Sequence, residues 1–143
     1  MSSSDLEKVM EQDHRALETF MKGDPEAKKM VYSRGDDATL ANPLGPPARG
    51  WNQVAEALER AASQVRDGEV VGFERISQYA TADLAYIVEF ERTRAKIGGT
   101  DDMVSFSLRV TTIFRREDDG WKVVHRHADP ITTPRPIESA LET

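Results

Sequence analysis

Residues 103–128 read MVSFSLRVTTIFRREDDGWKVVHRHA, and the alternation in this stretch decides the fold. From Ser105 to Arg115 every second residue is Phe106, Leu108, Val110, Thr112 or Phe114. The intervening positions carry Ser105, Ser107, Arg109, Thr111, Ile113 and Arg115. A period of two is that of a strand with one buried face. Asp118-Asp119-Gly120 supplies turn chemistry, and alternation resumes at Trp121, so the stretch is a hairpin. The same period runs backward through Leu84–Lys96 and Val70–Tyr79, with turns at Gly98-Gly99 and Ala82-Asp83. Short connections make the four strands an antiparallel meander. Parity in the second strand places Leu84, Tyr86, Val88 and Phe90 inside and leaves Glu89 and Glu91 outside.

Upstream the period is helical. Leu6, Val9, Met10, Leu17, Phe20 and Met21 form one stripe over Asp5–Lys22. Gly23 stops this helix, and Asp24-Pro25 opens a short second one that carries Ala27, Met30 and Val31 inward and ends near Gly35. Asp36–Asn42 reads as a strand broken by Pro43, and Leu44–Gly50 as an irregular loop because of its two prolines and two glycines. A third helix spans Trp51 to about Val65. Helices first and strands after, without β-α-β alternation, mean an α+β fold with the helices on one face of a curved antiparallel sheet. One domain covers 1–130. Pro130, Pro134 and Pro136 make 131–143 an extended tail.

Composition excludes several function classes. The 143 residues carry 19 Lys and Arg against 25 Asp and Glu, a net charge of −6 with no basic patch, which argues against nucleic acid. The absence of Cys removes thiol catalysis, disulfides and thiolate metal sites. No apolar run approaches a membrane span, and Met1–Lys8 is too polar for a signal peptide, so a cytoplasmic setting is expected.

The helix–Gly23-Asp24–helix opening, the run Asp36-Asp37-Ala38-Thr39-Leu40-Ala41-Asn42-Pro43-Leu44-Gly45, and Gly50-Trp51 at a helix start resemble the ketosteroid isomerase and SnoaL-like proteins of the nuclear transport factor 2-like superfamily. The ending Phe114-Arg115-Arg116 to Gly120-Trp121-Lys122-Val123-Val124-His125-Arg126-His127 resembles the last hairpin of the SnoaL-like branch and also the association domain of calmodulin-dependent kinase. The likeness covers about Leu6 to Pro130. It implies a cystatin-like fold, a cone-shaped cavity between sheet and helices, and a dimer. It also tests the isomerase chemistry residue by residue. The family's carboxylate base falls at Asn42, its tyrosine donor at Ala16 and its protonated aspartate donor at Thr112. An amide does not accept a proton at neutral pH, so steroid isomerisation is not expected.

Asp13 stands within the apolar stripe of the first helix, where desolvation raises a carboxylate toward useful acid–base values. It is the candidate catalytic residue, or else it caps backbone groups or pairs with an arginine at the rim. Asn42, Trp51, Tyr32, Tyr86, Val88, Arg92, Thr112 and Arg126 are expected to line the cavity. Arg92 or Arg126 would serve as a bidentate clamp for a carboxylate ligand. His125 and His127 share one strand face. They read either as a zinc pair completed by Glu89, Glu91 or Asp129, or as outer-face residues that form a dimer interface with Arg109 and Glu89. The preferred assignment is the interface, with no metal and no cofactor. Two functions follow: a protein that binds a small, mostly hydrophobic molecule, with acid–base chemistry of an isomerase, cyclase or hydratase type as an extension, or a non-catalytic association module.

Overall fold

The computed structural model describes residues 3–142. Helix α1 (Ser3–Phe20) and the short α2 (Glu26–Val31) lead into strands β1 (Thr39–Ala41) and β2 (Ala48–Arg49), followed by α3 (Trp51–Ala62). Four long strands complete the domain: β3 (Val65–Ala80), β4 (Leu84–Ile97), β5 (Met103–Glu117) and β6 (Gly120–Asp129). Gly23 ends α1 because it adopts a φ of +99°, a conformation that costs a side-chain-bearing residue. Asp24 Oδ1 accepts the amide of Glu26 at 2.9 Å and caps α2.

The sheet order is β2-β1-β6-β5-β4-β3. The predicted meander is present in β3 to β6, but the whole sheet is mixed, because β1 lies parallel to β6 with Thr39 beside His125. Periodicity reports which face a strand buries, not the direction of its neighbour. The loop after Pro43 also holds more structure than its prolines suggest. Beyond Pro46-Pro47 the residues regain their amide donors, and Ala48 and Arg49 pair with Leu40 and Thr39. In the tail, a single 3-10 turn at Ile137–Ala140 interrupts the expected extended chain.

The inner face of β5 is as predicted, with Val110, Thr112 and Phe114 buried. In β4 the parity is the reverse of the prediction. Cross-strand neighbours share a face, and the register sets Ala85 opposite Phe114, Ile87 opposite Thr112, Glu89 opposite Val110 and Glu91 opposite Leu108. Glu89 and Glu91 therefore face the helices and are buried, whereas Tyr86, Val88, Phe90 and Arg92 lie on the outer face. The apolar residues of β4 misled because its inward glutamates are matched by cations from other elements. Helix α2 repeats this pattern: Lys28 and Val31 are buried, and Met30 is 63% exposed.

Bulges bend the sheet around the helices. β3 has three register shifts, and β6 has one opposite Ile113 and Phe114. The bulge at Val124 lets both Val123 and Arg126 face inward while His125 and His127 face outward. One apolar cluster joins α1 and α3 to Ile87, Phe114 and Val123, and a second joins Leu17 and Met21 to Ala95. At the first bulge of β3, Gly68 donates its amide to Met21 O at 3.0 Å and docks the sheet against the end of α1. A β-carbon on Gly68 would lie 2.5 Å from Met21 O and 2.8 Å from Arg94 O, both backbone atoms. Gly68→Ala is expected to lower the unfolding free energy by about 3 kcal/mol in urea titration, the upper range for forced overpacking. An unchanged midpoint would refute this docking.

Candidate functional site

A cavity of about 330 Å³ opens between the two apolar clusters. Leu17, Phe20 and Met21 of α1, Leu58 of α3, and Phe106 and Leu108 of β5 give it apolar walls. Its polar floor is made by Glu91 and Thr93 of β4 and Arg126 of β6. Behind it lies a void of about 30 Å³ bordered by Asp13, Lys28, Tyr32 and Thr112. Leu17, Phe20, Leu58 and Arg126 border both compartments and form the partition between them.

Two buried ion pairs organise this floor. Arg126 Nη1 and Nη2 donate to the two oxygens of Glu91 at 3.0 and 2.8 Å, a fork-on-carboxylate arrangement. Burial opposes the charge on Glu91, but Arg126, with Lys28 and His14 farther off, outweighs it and holds the carboxyl below the usual range. Burial likewise opposes the charge on Arg126, and Glu91 overrides it, so the guanidinium stays protonated. Lys28 Nζ donates to Asp13 Oδ1 at 2.8 Å, with both side chains buried. Tyr32 donates its hydroxyl to Thr39 O at 2.6 Å, and burial pushes the phenol far above its ordinary pKa.

Glu89 anchors a third set on the other side of α1. Its oxygens accept from Arg75 Nε at 3.0 Å and meet His14 Nε2 at 2.7 Å. A carboxylate can only accept, so Nε2 of His14 carries hydrogen. The imidazole stacks on Phe73 with centroids 3.6 Å apart. His14 and Arg75 also border an open cleft of about 550 Å³ between α1 and β3.

The candidate residues divide accordingly. Asp13, Tyr32, Thr112 and Arg126 meet at the inner void, and Asn42 stands at the mouth of the larger cavity, where its Oδ1 accepts the Leu44 amide at 2.9 Å. Tyr86, Val88 and Arg92 do not line the cavity, because the register of β4 turns them outward. Arg92 instead pairs with Glu74 at 3.1 Å. Trp51 packs against the core beneath the Arg34 guanidinium, 3.7 Å from its ring centroid, and borders neither compartment. Glu89 faces inward, away from the outer-face set to which it was assigned. The other three of that set do lie outside: Thr39 Oγ1 and His125 Nδ1 are 2.7 Å apart, and Asp129 links His127 Nε2 (2.9 Å) to Arg109 Nε (2.7 Å). Glu89 and Glu91 are on the opposite face from the His pair, and among the described residues no three potential metal ligands converge.

Lys28 is not among the residues expected at the site, and Glu91, expected on the outer face, is buried at its floor. The available signal was an acidic residue in an apolar stripe, which demands a buried cation, and an inward arginine, which demands a buried anion. Removing one member of such a pair strands the other. Asp13→Ala is expected to lower stability by about 3–5 kcal/mol in urea denaturation, and Asp13→Leu combined with Lys28→Met to recover most of that loss. Equal stability of Asp13→Ala and the parent would show that the pair is not formed.

Comparison with known proteins agrees with this architecture. The family model described as a SnoaL-like domain matches residues 9–132. A nuclear transport factor 2-like superfamily protein from Salmonella enterica superposes with a TM-score of 0.79 at 17% identity, covering 94% of this chain and 96% of that one. A ketosteroid isomerase-like protein from Erwinia carotovora gives 0.73 at 20% identity, with coverages of 91% and 96%. A nuclear transport factor 2-like protein with a cystatin-like fold from Novosphingobium aromaticivorans gives 0.67 at 19%, with coverages of 98% and 90%. At these identities the likeness speaks for the fold alone. No curated protein matches the chain significantly. The family match over most of the length, on a curved sheet closed by helices, makes this chain a member of the SnoaL-like family.

Proposed function

We propose that the cone cavity binds a small, mostly hydrophobic molecule. The observation that carries this reading is a space of about 330 Å³ with apolar walls that converge on a small polar floor, the Arg126–Glu91 pair with Thr93. Apolar walls with few placed polar groups are the ordinary form of a small-molecule site. Steroid isomerase chemistry is not part of the proposal: Asn42, Ala16 and Thr112 stand where the resembling isomerases carry their base and donors. Asp13 is read in a structural role, as the buried partner of Lys28 rather than of an arginine at the rim. Ala61 borders the cavity and is half-buried, so a larger side chain there fills the space. In thermal-shift titrations with neutral aromatic ketones, the parent should gain melting temperature and Ala61→Trp should not. A parent unresponsive across the series would count against the cavity as a binding site.

A second function, self-association, is favoured by the outer sheet face. Tyr79 and Tyr86 are adjacent there, with ring centroids 6.4 Å apart, and are 63% and 38% exposed. Across the same face Ile113 and His125 continue the row of Tyr86, Thr111 and His127 the row of Val88, and Arg109 stands opposite Phe90. A second copy of the chain would cover this apolar patch. Light scattering should give twice the 16.0 kDa chain mass. Tyr79→Glu with Tyr86→Glu should reduce it to the monomer, and a monomeric parent would refute the proposal.

A further inference from the structure

We infer that Glu91 determines what the cone accepts: by filling the Arg126 fork from within the protein, it reserves the cavity for an uncharged molecule bearing a hydrogen-bond acceptor, such as a ketone or ester, and excludes carboxylates. The inference rests on the cavity reading above.

An arginine at the floor of an apolar cavity is by itself an anion site, because its planar fork matches a carboxylate. Here both Nη atoms are already bound to Glu91, and among the described residues Glu91 and Arg126 are the only ionisable groups that border the larger cavity. The inner void adds Asp13 and Lys28, which are paired to each other. Two carboxylates and two cations therefore sum to zero charge around the combined space. An entering anion would lose its hydration, meet no unpaired cation and stand close to Glu91. A neutral acceptor meets no such obstacle. Guanidinium has five N–H donors and Glu91 takes two, leaving three for a carbonyl oxygen at the floor. The lowered pKa of Glu91 agrees with a carboxylate that keeps its charge and holds its place.

Three naphthalenes of one shape test the assignment by calorimetric titration: 2-acetylnaphthalene, 2-naphthoate and 2-ethylnaphthalene. The parent should bind the ketone about tenfold or more tighter than the carboxylate. Glu91→Gln unblocks the fork and should raise affinity for 2-naphthoate by about tenfold or more. Glu91→Met with Arg126→Met removes both charges together, which buried pairs tolerate better than losing one. It should bind the ketone no tighter than the ethyl compound and still reject the carboxylate. If Glu91→Gln does not fold, the parent's preference and the double variant decide. A parent that binds 2-naphthoate as well as the ketone overturns the inference while leaving the cavity reading intact. A parent that binds none of the three overturns both.

Discussion

The interior of this cone is organised by charges that cannot leave it. Glu89 and Glu91 point toward the helices from the middle of β4, in a layer otherwise made of Ala85, Ile87, Thr93 and Ala95. Two unpaired carboxylates there would each cost several kcal/mol. Each is therefore met by a cation delivered from elsewhere in the chain: Arg126 from β6 for Glu91, and Arg75 from β3 with His14 from α1 for Glu89. The Asp13–Lys28 pair joins α1 to α2 in the same way. Helices and strands are thus tied by contacts that each need a particular partner, and the apolar clusters close around them.

This arrangement accounts for a cavity in place of a filled core. Side chains that end in paired charges stop at their partners, whereas apolar ones pack until space is exhausted. The Arg126–Glu91 pair ends inward packing at the cavity floor, and Phe20 and Leu58 partition the remaining space rather than filling it. The bulge at Val124 is what brings Arg126 to that floor, since without it Val123 and Arg126 could not share a face. Inward glutamates also push the apolar residues of β4 outward, so one parity choice both builds the polar floor and leaves an apolar outer face.

Membership of the SnoaL-like family therefore sets the frame of the molecule without setting its chemistry. On the correspondence that the resemblance implies, an amide, a methyl group and a hydroxyl stand here where the isomerases carry their base and two hydrogen-bond donors. The ionisable groups that the cavity does contain are locked into opposite-charge pairs. Such a floor suits recognition by shape and charge neutrality.

Period and punctuation determined much of this protein. The switch from a 3.6- to a 2-residue period, Gly23, Asp24-Pro25 and Asp118-Asp119-Gly120 placed the helices and the β5–β6 hairpin, because these signals act within a few residues of the chain. The resemblance to the SnoaL-like family was carried by equally short motifs, Asp36–Gly45, Gly50-Trp51 and the last hairpin. Only the tertiary structure decided the facing of β4, the partner of Asp13, the parallel docking of β1 and the inward turn of Lys28. Each depends on groups at least fourteen residues away along the sequence. Local alternation assigns the apolar parity to the interior, and it is right unless distant charges make the polar parity cheaper to bury. In β4 they do, and that reversal is what puts the Glu91 carboxylate rather than its neighbour Phe90 at the floor of the cone.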